Sequence, residues 1–189
     1  MMNNSIRTFI AVPAGGNPIL AGEARRIRQA LGEERFRWVD PSLFHFTLIF
    51  LGETDPKLIQ PLSRNLEAVA GSLPGGSLGI SGTGYFGRKN APSVLWMGLE
   101  DDGYLRQLWS AVSGVVEELL PKKIENRFSP HLTLARIKTV RDTPLFHRVA
   151  GAGTGGRVIR LDVDRIVLFR SDLRPDGPVY TPLSEFFLK

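Results

Sequence analysis

Two short segments of this chain repeat one pattern. His45-Phe46-Thr47-Leu48 and His131-Leu132-Thr133-Leu134 each place a threonine two residues after a histidine and an aliphatic residue next, and they use two of the three histidines in 189 residues. In a β-strand, residues i and i+2 point to the same face. Each segment would therefore show an imidazole beside a hydroxyl, with Phe46 or Leu132 turned the other way. Histidine gives or takes a proton near neutrality without large tuning, because its ordinary pKa is about 6.5. Two imidazoles flanking a phosphodiester can divide the work. One takes a proton from attacking water and the other gives one to the departing oxygen, each transfer being worth about 10²–10⁴ in rate. The threonine hydroxyls can donate to the non-bridging oxygens, where negative charge must be held.

Two other readings compete at this point. A strand histidine bonded to backbone, with threonine present for its β-propensity, explains a single copy well, since a short motif is weak by itself. Two copies, both in strand-like runs, favour the catalytic reading. A metal site is the other alternative, but the i+2 partner is threonine, a poor ligand for zinc or transition metals. His147 has no such partner and is expected to be a surface or loop histidine.

The elements that must position these pairs follow from local patterning. Residues 7–12 read as a first strand, closed by Pro13-Ala14-Gly15-Gly16. Asn17 caps a helix that begins at Pro18 and carries Ile19, Leu20, Ala24, Ile27 and Leu31 at roughly helical spacing. A short strand spans 36–39, and the first His-x-Thr strand spans 44–51. A second helix runs from Thr54-Asp55-Pro56 to about Ala70. A glycine-rich passage holds a strand near 78–81, with Gly75-Gly76 as a turn, and another strand covers 93–99. A helix follows over about 104–120, then a basic loop over 121–130. The second His-x-Thr strand covers 131–137, succeeded by an irregular stretch with many glycines. Strands at 158–161, 165–170 and 179–187 complete the set. Each half runs strand, helix, His-x-Thr strand, and the two histidines lie 86 residues apart. The expectation is an α+β fold in one domain over 1–189, with two lobes related by a pseudo-twofold axis. Antiparallel-rich sheets would surround a central groove and the helices would pack outside.

Composition bounds the class. A hydrophobic fraction of 42% and a charged fraction of 23% are ordinary for a globular chain. No apolar run approaches the roughly 18 residues of a membrane span, and the first residues carry no signal-peptide pattern, so a cytoplasmic protein is expected; a monomer is expected from the self-contained size. There is no cysteine, which excludes disulfides, thiolate metal sites and a cysteine nucleophile. A net charge of +5 favours an anionic partner. No Gly-Lys-Ser/Thr or strand-to-helix Gly-x-Gly-x-x-Gly occurs, which disfavours P-loop and dinucleotide chemistry.

With these residues in hand the chain resembles the bacterial and archaeal RNA 2′,3′-cyclic phosphodiesterases of the two-histidine (2H) phosphoesterase superfamily, once called 2′-5′ RNA ligases. The resemblance covers almost the whole chain. It is carried by Arg7-Thr8-Phe9-Ile10-Ala11, Arg37-Trp38-Val39, Leu43 to Leu48 with Phe50-Leu51-Gly52, Val94-Leu95-Trp96, Phe128 to Arg136, and Pro178 to Leu183. It implies metal-independent hydrolysis of a terminal 2′,3′-cyclic phosphate to a 2′-phosphomonoester, with no cofactor. It further implies that His45 donates the proton to the leaving 3′-oxygen and His131 activates water, with Thr47 and Thr133 beside them. Residue spacing alone does not make that assignment. The implied fold is a two-lobed α+β arrangement around a V-shaped groove.

Arg136, five residues after His131, matches a basic position of that family and is a candidate for bidentate phosphate binding. Arg127 is a weaker candidate of the same kind. Phe44, Phe128 and Tyr180 are candidates for stacking on a nucleobase, although each also suits a core or groove-wall position. The expected partner is RNA ending in a 2′,3′-cyclic phosphate, with free nucleotides as a further ligand class and no membrane. The rival readings are a phosphodiesterase for 2′-5′ oligonucleotides or cyclic nucleotide phosphates, 2′-5′ RNA ligation in reverse, and an RNA-binding protein without turnover.

Overall fold

The computed structural model describes residues 5–32, 34–100, 102–120, 128–175 and 177–189. Its elements are β1 (Ile6–Pro13), α1 (Pro18–Leu31), β2 (Arg35–Trp38), β3 (His45–Thr54), α2 (Ile59–Ala70), β4 (Gly76–Arg88), β5 (Ala91–Leu99), α3 (Gly103–Leu119), β6 (Leu132–Thr139), α4 (Thr143–Ala152), β7 (Ile159–Val163), β8 (Arg165–Arg174) and β9 (Gly177–Phe187). Short 3₁₀ turns at Pro41–Leu43 and Pro56–Leu58 lead into β3 and α2. The strands form one antiparallel sheet in the order β7-β4-β5-β6-β3-β1-β8-β9, with β2 added beside β6.

The order reads outward from the β6–β3 seam in two matching wings. One wing is β3, β1, β8 and β9; the other is β6, β5, β4 and β7. Along the seam the one register pair among the described residues is Phe46 with Leu132, so the wings meet at that point and splay apart from it. The likeness extends to register. β1 lies against β3 with Val12 on Phe46 and Ala11 on Thr47, then slips one residue so that Ile10 meets Ile49 and Phe9 meets Phe50. β5 lies against β6 with Met97 on Leu132 and Trp96 on Thr133, then slips in the same place so that Leu95 meets Ala135 and Val94 meets Arg136. A bulge of this kind puts two consecutive residues on one side of the strand. Leu48 with Ile49 and Leu134 with Ala135 are the buried pairs that result.

All four α-helices of the described residues pack on the face that holds Phe46 and Leu132. Leu20, Ile27, Leu62, Leu66, Leu105, Leu108, Val112 and Phe146 join those two residues in one continuous core. The opposite, concave face is left for function. The helix ends follow local chemistry. Asn17 caps α1 by accepting from the Ile19 and Leu20 amides at 3.0 and 3.1 Å, with Pro18 at the first helical position.

Two expectations need correction. The stretch after the second His-x-Thr strand is not irregular throughout: it contains α4, where Asp142 caps by accepting from the Leu145 amide at 2.9 Å and Phe146 and Ala150 are buried. Glycines at 151, 153, 155 and 156 mask a helix only ten residues long. His147 therefore sits on a helix, with its ring against Tyr85 and Phe146, rather than in a loop. The strand expected at 78–81 runs much further, over Gly76–Arg88, because positive-φ Gly82 and Gly87 lie at its register shifts. There glycine continues the ladder past a bulge that other residues resist.

Candidate active site

The seam places the two histidine–threonine pairs side by side. Phe46 and Leu132 are fully buried in the core, so the alternation of the pleat turns their neighbours to the concave face. In an antiparallel ladder centred on Phe46 and Leu132, His45 lies across from Thr133 and Thr47 across from His131. The two imidazoles then occupy diagonal positions, for which an unsplayed ladder gives about 7–8 Å between Cβ atoms. That interval is suited to a phosphate held between the rings, with a hydroxyl beside each.

Both rings are oriented the same way. His45 Nδ1 lies 2.7 Å from the Leu43 carbonyl oxygen and His131 Nδ1 lies 2.8 Å from the Ser129 carbonyl oxygen. A carbonyl oxygen only accepts, so Nδ1 carries the hydrogen in each and Nε2 is the nitrogen left to exchange protons. The residue two before the histidine supplies the acceptor in both copies, after Asp40-Pro41 in one and within Ser129-Pro130 in the other. Each ring also takes an aromatic edge nearly at right angles. Tyr180 meets His45 at 5.2 Å between centroids and 88°, and Phe86 meets His131 at 4.7 Å and 89°.

Burial pushes both imidazoles below the ordinary histidine pKa, the backbone hydrogen bonds act in the opposite sense, and for His45 the nearby His131 adds to the lowering. Neutral rings are thus favoured in the free protein. An anion bound between them reverses the balance by favouring the charged form of a neighbouring base. The Tyr180 hydroxyl is held above its ordinary value by burial, against the opposing pull of the Arg136 and Arg7 charges. Those two guanidinium groups, one from each wing, are therefore close to the ring that flanks His45.

The surroundings of the two histidines differ. Around His45 lie Phe9, Phe169 and Tyr180, with Phe9 at 5.1 Å from His45 and 5.0 Å from Tyr180. Phe50 extends this cluster and is 69% exposed. Around His131 lie Phe86 and Trp96, whose ring covers Gly84 so closely that a Cβ there would come within 2.4 Å of it. Phe50 and Arg136 each stand five residues after a motif histidine, at matching register positions.

The candidates read from sequence fall into three groups. His45, Thr47, His131, Thr133, Arg136 and Tyr180 come together on the concave face. Phe44 does not, being 2% exposed within the core. Phe128 does not either: its ring stacks on Trp109 of α3 at 5.3 Å and faces the Arg106 guanidinium. Arg127 lies outside the described residues. The residues that sequence reasoning missed are Phe9, Phe50, Phe86, Trp96 and Phe169. Aligning the two motifs would have found Phe50 as the counterpart of Arg136. Phe86 and Phe169 carry no local signal, because strand pairing brings them in from a distance. Among the described residues no group of three or more His, Asp or Glu side chains is placed to hold a metal ion, and no helix is long and apolar enough to cross a membrane.

A curled antiparallel sheet of two matching wings, with a histidine–threonine pair from each on its concave face, defines a two-histidine phosphoesterase fold. The chain belongs to the LigT-like phosphoesterase family, whose profile matches residues 10–96 and 103–180. Among curated proteins it is 32% identical over 184 residues to the RNA 2′,3′-cyclic phosphodiesterase of Thermotoga maritima, covering 95% of this chain and 94% of that one. It is 33% identical over 157 residues to the protein of the same name from Thermus thermophilus, covering 80% and 75%. Among solved structures, a Thermus thermophilus protein superposes with a TM-score of 0.81 at 29% identity, covering 97% and 98% of the two chains. Escherichia coli LigT complexed with 3′-AMP shares the fold, with a TM-score of 0.73 at 23% identity and 98% coverage of both chains.

Proposed function

We propose that this protein hydrolyses the terminal 2′,3′-cyclic phosphate of RNA to a 2′-phosphomonoester and a free 3′-hydroxyl. The observation that carries the reading is the pair of imidazoles on the seam, each with Nδ1 tied to a backbone carbonyl and Nε2 free for proton exchange. The names of the relatives support the substrate.

Neutral His131 takes a proton from water through Nε2 as the water oxygen attacks phosphorus. The bond from phosphorus to the 3′-oxygen breaks, and protonated His45 gives its Nε2 proton to that oxygen. One proton enters at His131 and one leaves at His45, so the site returns to its starting charge after a single exchange with solvent. Thr47 and Thr133 donate to non-bridging oxygens, and the Arg136 guanidinium offsets their charge. None of these roles requires a metal ion or cofactor. The nucleoside attached to the leaving oxygen lies on the His45 side, where Phe9, Phe50 and Tyr180 supply an aromatic wall suited to a base. The chain acts in this reading as a monomeric single domain in the cytoplasm.

The test is an assay on RNA ending in a 2′,3′-cyclic phosphate, with the product identified as 2′- or 3′-phosphate and a parallel run in EDTA. Full activity in chelator and a 2′-phosphate product are expected. A 3′-phosphate product would reverse the two histidine roles, and loss of activity restored by added metal would overturn the mechanism. A nucleotide-scale substrate is the second reading, favoured by the 3′-AMP complex of the structural neighbour. Running nucleoside 2′,3′-cyclic monophosphates and 2′-5′ oligonucleotides in the same assay separates it from the RNA reading. Incubating the cleaved ends together tests ligation by the reverse reaction.

A further inference from the structure

The seam side of β6, beyond its contact with β3, carries a charge arrangement that the hydrolytic mechanism does not use. β2 adds to β6 in antiparallel register with Phe36 on Ile137, Arg37 on Arg136 and Trp38 on Ala135. Phe36, Trp38, Ile137 and Ala135 all belong to the core or pack against it. The pleat therefore turns Arg37 and Arg136 together to the concave face, where both are exposed. Like charges directly opposite each other weaken a strand pair. Here two guanidinium groups are opposed, and among the described residues neither forms an ion pair with a carboxylate. Lys138, two residues beyond Arg136 on the same strand, continues the row and lines a pocket with Lys89 where β5 parts from β6.

Arg37 is also held in place. It donates from Nη2 to the Pro175 carbonyl oxygen at 3.0 Å, so β2, from the His131 wing, touches the turn of the β8–β9 hairpin from the other wing. One such bond fixes the guanidinium while leaving its other donors free. A cation that is immobilised, opposed to a second cation and without a carboxylate partner is suited to an anion arriving from outside.

We infer that Arg37 binds a second phosphate of the RNA, the phosphodiester next to the scissile one. This rests on the cyclic-phosphate reading above. Arg136 stands on the strand that follows His131 and takes the scissile phosphate, and Arg37 lies on the β3 side of that strand, toward the His45 side where the nucleoside is placed. Arg37 lies across the ladder from it, with Cβ atoms about 5 Å apart for such a pair, and its long side chain reaches the next phosphate along a single strand. A nucleoside 2′,3′-cyclic monophosphate has no second phosphate. Arg37 is therefore the residue by which this groove distinguishes an RNA end from a free cyclic nucleotide.

The test compares Arg37→Gln with the unsubstituted protein on two substrates. One is a short oligoribonucleotide ending in a 2′,3′-cyclic phosphate, and the other is the nucleoside 2′,3′-cyclic monophosphate of the same base. Glutamine keeps an N–H for the Pro175 carbonyl and removes the charge. On the oligonucleotide, KM is expected to rise about five- to tenfold with kcat unchanged, and the slope of log KM against log salt to fall by about 0.7, the value for one phosphate contact on a single strand. On the mononucleotide neither parameter moves, and Arg37→Lys recovers most of the oligonucleotide affinity. Equal losses on both substrates would show that Arg37 acts by holding the hairpin and would overturn the inference. No change on either would make it a spectator cation and overturn the inference equally. If the unsubstituted protein opens neither cyclic phosphate, the proposed function falls and takes this inference with it, an outcome distinct from indifference to Arg37→Gln in an active enzyme.

Discussion

The wing built on β3 and the wing built on β6 share a backbone and differ in what stands on it. Each has the same bulge after the same threonine, the same Nδ1 bond to the carbonyl two residues back, and one aromatic edge against the imidazole. The differences lie in the side chains. Opposite Thr47 stands Ala11, whereas opposite Thr133 stands Trp96; five residues after the histidine stands Phe50 in one wing and Arg136 in the other. A symmetric backbone presents two imidazoles with the same nitrogen left free. Asymmetric side chains give the groove a direction, with exposed Phe50 in one wing where exposed Arg136 stands in the other, and a substrate with a base at one end and a phosphate at the other would then have a preferred way round.

The strongest attempt to break this comparison removes the shared part. His45→Ala and His131→Ala are each expected to lower turnover of an RNA cyclic phosphate by about 10²–10⁴, the range for a lost proton transfer, while circular dichroism stays native. Near-normal turnover by either variant would show that the wings are not chemically equivalent. Next comes the cationic flank. Arg136→Met is expected to reduce kcat/KM by about 10² through lost charge stabilisation of the phosphate oxygens. Phe50→Leu should act differently, raising KM by about tenfold with kcat little changed, since a base–aromatic stack is worth about 1–3 kcal/mol. If both variants altered the same parameter to the same extent, the division of the groove into a base side and a phosphate side would fail.

A smaller effect tests the packing behind His131. Gly84→Ala drives a methyl group into the Trp96 ring, which is expected to cost about 1–3 kcal/mol of stability in urea unfolding. An equally stable variant would show that Trp96 is free to move. The smallest effect concerns pH. Both imidazoles have folded pKa values pushed down by burial, so the unfolded chain binds protons below pH about 6.5 that the native state refuses. The stability contributed by each group is fully present above that pH and is lost as pH falls through the folded value. The same depression should place the maximum of kcat/KM on the acid side of about pH 6.5, because that ratio reports the free enzyme. A maximum well above neutrality would contradict it.

Much of this molecule is legible along the chain because the relevant signals are local. Asn17-Pro18 opening a helix, the alternation through His45 to Leu48 and the doubled motif each depend on neighbours within a few residues. Phe44 and Phe128 depart from the expected groove because an aromatic beside a His-x-Thr strand looks the same whether its ring faces core or groove. The one-residue offset that puts Phe44 beneath the sheet is a matter of register. The α4 helix is hard to read because four glycines in and just after it obscure a short apolar face.

The sequence by itself determined that two imidazole–hydroxyl pairs exist and that each falls in a strand-like run; it offered the likeness of the two halves only as a coarse order of elements, which the sheet shows as two matching wings. Pleat alternation and residue chemistry act over two or three positions, and no distant partner is needed to read them. Only the tertiary structure decided that the pairs meet across Phe46 and Leu132, that Tyr180 and Phe86 close on the rings, and that Arg37 faces Arg136. Those contacts join residues tens to well over a hundred positions apart, and they depend on strand order and register, which follow from packing the whole sheet against one core.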